Sequence, residues 1–132
     1  MNEKTKTFMR EQIENIVQNL NSKFGIPIYE DEPSENEEES LDVNGYNFFV
    51  YETSDFQPTS DTKRLSQNIY VYYHSENQDN VDEQTIDIIS SIIKVKAVSF
   101  IRSRKERLQM KDTDRYMDRV TLTFKRLVPI EC

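Results

Sequence analysis

Apolar side chains near the start of the chain fall at Met9, Ile13, Ile16, Val17, Leu20 and Phe24, that is at i, i+4, i+7, i+8, i+11 and i+15, which draws one stripe along a helix. The next residues end that helix, since Gly25 suits a left-handed C-terminal cap and Pro27 blocks continuation. Ile26, Ile28 and Tyr29 then predict a short strand. "YNFFVYE" (Tyr46 to Glu52) and "NIYVYYH" (Asn68 to His74) are short, aromatic and β-branched, and bounded by polar or Pro-containing stretches, so both predict strands. Apolar residues occupy both pleat faces of the first of them. Helices account for one covered face, and something else must cover the other.

Between these strands, Thr53 to Gln67 is too long for a tight hairpin turn and is expected to be a loop, with Phe56 and Leu65 as its docking anchors. "NVDEQTIDIISSIIK" predicts a second helix. Asn80 stands as N-cap with Glu83 three residues on, close to a capping box. Ile86, Ile89 and Ile93 recur at helical spacing, and Ile88 and Ile92 widen the stripe, so the helix is expected to be well buried. In the last third, Leu108 and Met110 alternate with Arg107, Gln109 and Lys111, while Val120, Leu122 and Phe124 alternate with Thr121, Thr123 and Lys125. Period two on both sides of "KDTD" predicts a hairpin whose Asp side chains bond the local backbone at the turn. Its Lys and Arg residues belong mostly to the outer face, where charge also discourages stray edge pairing. The fold class expected is α+β: a mostly antiparallel sheet of four to five strands, with two helices packed on one face.

Charge sharpens this outline. The 132-residue chain, sized for one domain, carries a net charge of -7, yet the eight acids of Glu30 to Asp42, a stretch without a base, account for all of it; without them the remainder stands at +1. That stretch has no large apolar side chain between Tyr29 and Leu41, so it is expected to be a flexible acidic loop over residues 30–42. Its acids do not follow the alternating ligands and central Gly of a calcium-binding loop. By contrast, Lys94 to Arg126 holds eleven Lys and Arg against four Asp and Glu. The chain is electrically bipolar.

Catalytic chemistry finds little support. The one histidine, His74, ends an aromatic strand with no nucleophile motif around it, and no phosphate-binding loop, dinucleotide fingerprint or zinc spacing occurs. Cys132 is the only cysteine, which leaves no internal disulfide. The expectation is a non-enzymatic protein with no cofactor and no metal. No apolar run reaches the length of a membrane span, and the start of the chain lacks a signal peptide's apolar core, so no membrane partner is expected. Nucleic-acid binding through the basic hairpin is a third reading, which low-salt mobility shifts that weaken steeply with salt would reveal. Tyrosines on both faces of short strands suit a half-wet contact with another protein chain.

The amphipathic helix leading into "FGIPIYEDE", the strand "YNFFVYE", the polar loop with Lys63 and Arg64 feeding "NIYVYYHSEN", the helix after "NVDEQ" and the final "DRYMDRVTLTFKRLV" together resemble the tail-terminator (tail-completion) proteins of long-tailed bacteriophages. The resemblance spans most of the chain and departs in the acidic segment, which is longer and more charged than the family's usual link. It implies a single structural domain, 1–132, forming a ring, usually a hexamer, at the head-tail junction of a virion assembled in the host cytoplasm. Such a ring caps the tail tube, ends its polymerisation and joins it to the head connector. Its partners would be copies of itself, the tail tube protein and the head-tail connector protein, with DNA only as passing cargo in the lumen. The candidate assembly residues are Phe56, Lys63, Arg64, Arg102, Arg104, Arg107, Lys111, Arg115 and Arg119. The alternative is a small adaptor domain binding a protein partner through an aromatic sheet face.

Overall fold

A computed structural model describes residues 3–31, 47–76, 79–109 and 116–130. Helix α1 (Glu3–Phe24) leads into β1 (Ile28–Glu30), and the chain continues through β2 (Phe48–Pro58), β3 (Arg64–Glu76), α2 (Val81–Ile92), β4 (Val98–Gln109) and β5 (Tyr116–Pro129). The five strands form one sheet in the order β1-β2-β3-β5-β4. Only the β1–β2 pair is parallel. The fold is therefore α+β with a mostly antiparallel sheet.

Both helices pack on one face. The apolar stripe of α1 delivers Ile16 and Leu20, and α2 delivers Val81, Ile88 and Ile92, into a core with Phe49, Ile69, Val71, Tyr73, Val120, Leu122 and Phe124. Gly25 takes the positive φ of 65° that few other residues adopt readily, and its N–H donates to the Asn21 carbonyl, closing α1. Phe24, the last helical residue, meets Phe49 edge-on at 5.4 Å between ring centres. On the opposite face, Phe48, Val50, Tyr29 and Tyr72 form a second, smaller cluster without any helical residue.

One polar residue rides within the buried stripe of α1. Gln12 donates from Nε2 to the carbonyls of Lys96 (3.1 Å) and Leu127 (3.4 Å), tying the helix to the start of β4 and the end of β5. Gln12→Ala is expected to lower the unfolding free energy by about 1–2 kcal/mol, because it leaves those carbonyls without a donor. A fall in the urea midpoint at unchanged slope checks this.

Four sequence expectations need correction. The stretch Thr53 to Gln67 is not a loop: β2 runs to Pro58 and β3 begins at Arg64, so only residues 59–63 turn. The strands extend because β5 gives β3 a partner along its whole length, from Arg64↔Pro129 to Glu76↔Met117. The turn is closed by Asp61, whose carboxylate accepts from the Lys63 N–H and from Arg64 Nε, both at 2.9 Å. Those bonds to the charged form hold the Asp61 carboxyl below its usual range. Asn80 is the N-cap residue of α2 as expected, but its side chain makes no cap hydrogen bond; its carbonyl accepts the Gln84 N–H instead. The isoleucine stripe is also rotated. Ile88 and Ile92 carry the burial, while Ile86 and Ile93 are exposed, because Val81, Ile88 and Ile92 form the face turned to the sheet. Glu30, assigned by sequence to the acidic loop, closes β1, and the rest of that segment from residue 32 lies outside the described residues.

Candidate assembly interface

Strand β4 is one edge of the sheet, hydrogen-bonded among the described residues only to β5. Its cations divide between the two faces by alternation, and a bulge between Phe100 and Arg102 decides which pair faces the helices. Lys105 opposes Val120 and Arg107 opposes Asp118 on the helix-bearing side. There Lys105 Nζ reaches Asp82 Oδ1 of α2 at 2.7 Å, and Arg107 Nε reaches Asp118 Oδ1 at 3.0 Å. Asp118 raises the Arg107 guanidinium above its ordinary value. Arg102 opposes Thr123 and Arg104 opposes Thr121 on the helix-free side, where neither makes an ion pair among the described residues. Arg119 on β5 is neutralised by Glu106.

The Lys105–Asp82 pair orients α2. Asp82, Ile86, Ile89 and Ile93 are spaced i, i+4, i+7, i+11 and share one side of the helix. Since Asp82 reaches over to β4, that side flanks β4. Ile86 (65 % exposed) and Ile93 (47 %) therefore lie along the same border as Phe100 (37 %), which meets Phe124 edge-on from the helix-bearing face, and Ile101 (45 %) at the bulge. Four of the six large exposed apolar residues among those described stand on this side of α2 or on β4. Exposed apolar side chains beside charged ones make this side a candidate contact surface.

The other edge has the opposite character. β1 covers β2 only from Phe49 to Tyr51, which leaves β2 from Glu52 to Pro58 without a neighbour on that side among the described residues. β1, Asp31 and β2 contain Glu30, Asp31, Glu52 and Asp55 and no Lys or Arg. Glu52 accepts from the Tyr72 hydroxyl at 2.6 Å, and burial together with this carboxylate pushes Tyr72 up to about 12. Phe56 stands on this edge, 45 % exposed.

The sequence-predicted residues thus separate. Phe56 sits on the acidic edge, with Lys63 and Arg64 at the turn beyond it, Arg64 paired to Asp61. Arg102 and Arg104 are open on the basic edge, whereas Arg107 and Arg119 are engaged within the subunit. Lys111 and Arg115 lie outside the described residues. Sequence reasoning missed Ile86, Ile93, Phe100 and Ile101, since an isoleucine-rich helix and a β-rich strand read as core. Their exposure follows from helix rotation and a bulge. No protein-family model and no curated protein matches the chain.

Proposed function

We propose that the protein is a phage tail terminator, a structural ring-former that caps the tail tube, stops its polymerisation and joins it to the head connector. The observation that carries the assembly part of this reading is that one sheet ends in two unlike edges with no further strand among the described residues, an acidic one bearing Phe56 and a basic, isoleucine-flanked one. A closed ring is built from a head-to-tail contact between two different patches, which this pair of edges supplies. A two-fold dimer through β4 would set Arg102 and Arg104 against their own copies, which like-charge repulsion disfavours. The element order and strand motifs that resemble the tail-terminator family support a role for such a ring at the head-tail junction.

Light scattering on the purified chain is expected to give a discrete species several times the 15.7 kDa mass. Added to polymerising tail-tube protein, the chain should halt tube growth and appear in electron micrographs as a ring at one tube end. Tubes that elongate unchanged beside a saturating excess of the chain would sink the proposal.

A further inference from the structure

The geometry points to the subunit contact itself: β2 of one copy, from Glu52 to Phe56, docks antiparallel against the start of β4 of the next copy, and Phe56 enters the apolar border between Ile93 and Phe100. This rests on the ring reading above and specifies which surfaces make it.

Strand directions and register both favour this pairing. In the order β1-β2-β3-β5-β4 the antiparallel pairings alternate from β2 onward, so β2 and β4 run in opposite directions. A second copy laid edge to edge therefore brings β4 antiparallel to β2, the arrangement with the stronger ladder. The heights match as well. Phe56 pairs with Gln67, Gln67 with Arg126, and Arg126 with Val98, so Phe56 and Val98 end one row across the sheet. The neighbouring row runs Thr53, Ile69, Phe124, Phe100. Both rows share the helix-bearing face, the side from which Ile86 and Ile93 flank β4. On the helix-free face the row is Glu52, Tyr70, Thr123, Arg102, with an acid at one end and, at the other, a cation that makes no ion pair among the described residues. A copy placed alongside thus presents Phe56 to the apolar border and Glu52 to Arg102 at the same time.

Both edges are also irregular at this height. β2 has a register shift between Thr53 and Phe56, and β4 between Phe100 and Arg102. Bulges of this kind weaken indiscriminate strand addition and leave recognition to side chains. The contact is accordingly an aromatic anchor in an aliphatic slot with an ion pair on the other face, where charge sets register and encounter rate.

The test uses Phe56→Ser and Ile93→Asp in the full-length chain, followed by sedimentation velocity. Both sites are exposed, and circular dichroism should show unchanged folding. Each variant alone is expected to raise the concentration for half-assembly by at least about tenfold, the effect of losing a central anchor. Mixed one to one, they should form dimers and nothing larger, because each retains the one edge the other lacks. Glu52→Arg or Arg102→Glu alone should weaken assembly, and the two together in one chain should restore it. Wild-type-like assembly by both Phe56→Ser and Ile93→Asp overturns this contact and leaves a ring built through other surfaces standing. A wild-type chain that stays monomeric at the highest concentrations, both free and with tail tubes present, overturns the contact and the ring reading together.

Discussion

Truncating Phe49 to alanine is expected to lower the unfolding free energy by about 3–5 kcal/mol, whereas Phe56→Ala, seven residues along the same strand, should change it by no more than about 0.5 kcal/mol. Phe49 is fully buried. Its ring is met edge-on by Phe24 from α1 and lies 5.1 Å from Tyr73 on β3, and its backbone N–H donates to the Pro27 carbonyl beside β1. Removing the ring opens a cavity where α1, β1, β2 and β3 converge, which surrounding aromatics cannot close without leaving their rotamers. Phe56 touches no comparable core and is half exposed to water. Urea unfolding of the two variants separates a phenylalanine that holds the fold from one available for a partner. A large stability loss from Phe56→Ala would mean that its side chain is spent inside the subunit.

That contrast also marks how far the sequence could be read. Phe48, Phe49 and Phe56 are equally aromatic in sequence, but only register decides which face, and which edge, each one meets. The periodic elements were legible because burial acts on period: α1 follows its stripe from Met9 to Phe24, and Val120, Leu122 and Phe124 alternate into the core as the spacing requires. Gly25 and Pro27 ended the helix where their backbone chemistry dictates. Long-range pairing was less legible. The polar residues from Thr53 to Gln67 look like a loop until β5 supplies a partner strand along β3, and the cross-strand contact overrides local preference. The β4 bulge was illegible too. It adds Ile101 to the strand and so exchanges the faces beyond it, which turns Lys105 and Arg107 to acids on the helix-bearing side and leaves Arg102 and Arg104 open on the other among the described residues.

The bipolar charge of the chain changes meaning in three dimensions. Along the sequence it is an acidic stretch followed by a basic third. Among the described residues it becomes a sheet with acids at β1 and β2 and unpaired cations at β4, some three strands apart. Charges separated in this way cannot satisfy one another within a subunit, since exposed charges are screened beyond about 8–10 Å. In the proposed ring, subunits laid side by side would bring them within contact range. Raised salt is therefore expected to slow association more than it weakens the finished contact, whose anchor is apolar.

His74 supplies a pH dependence that can be followed one residue at a time, because the chain has a single histidine. Its ring stacks on Phe48 with centres 4.2 Å apart and planes 6° from parallel, and its cross-strand neighbour on the other side is Arg119, itself bonded to Glu106. Burial, and after it the Arg119 guanidinium, push the imidazole down from 6.5 to about 4, with the Phe48 backbone pulling weakly the other way. The folded imidazole is neutral at pH 7. An unfolded chain takes up its proton near pH 6.5, so between pH 6.5 and about 4 the unfolded state binds the extra proton, and stability falls as pH falls through that window. The loss at pH 4 is about 3 kcal/mol relative to pH 7. Proton NMR of the imidazole should show a midpoint near 4, and His74→Phe, which keeps the stacking surface and removes the titrating group, should flatten the decline over the same window. Asp61, whose folded carboxyl titrates below the ordinary 3.8, acts at still lower pH and leaves this window clear. An imidazole midpoint near 6.5 would show that water reaches the ring, and that the aromatic cluster on the helix-free face is open at Phe48.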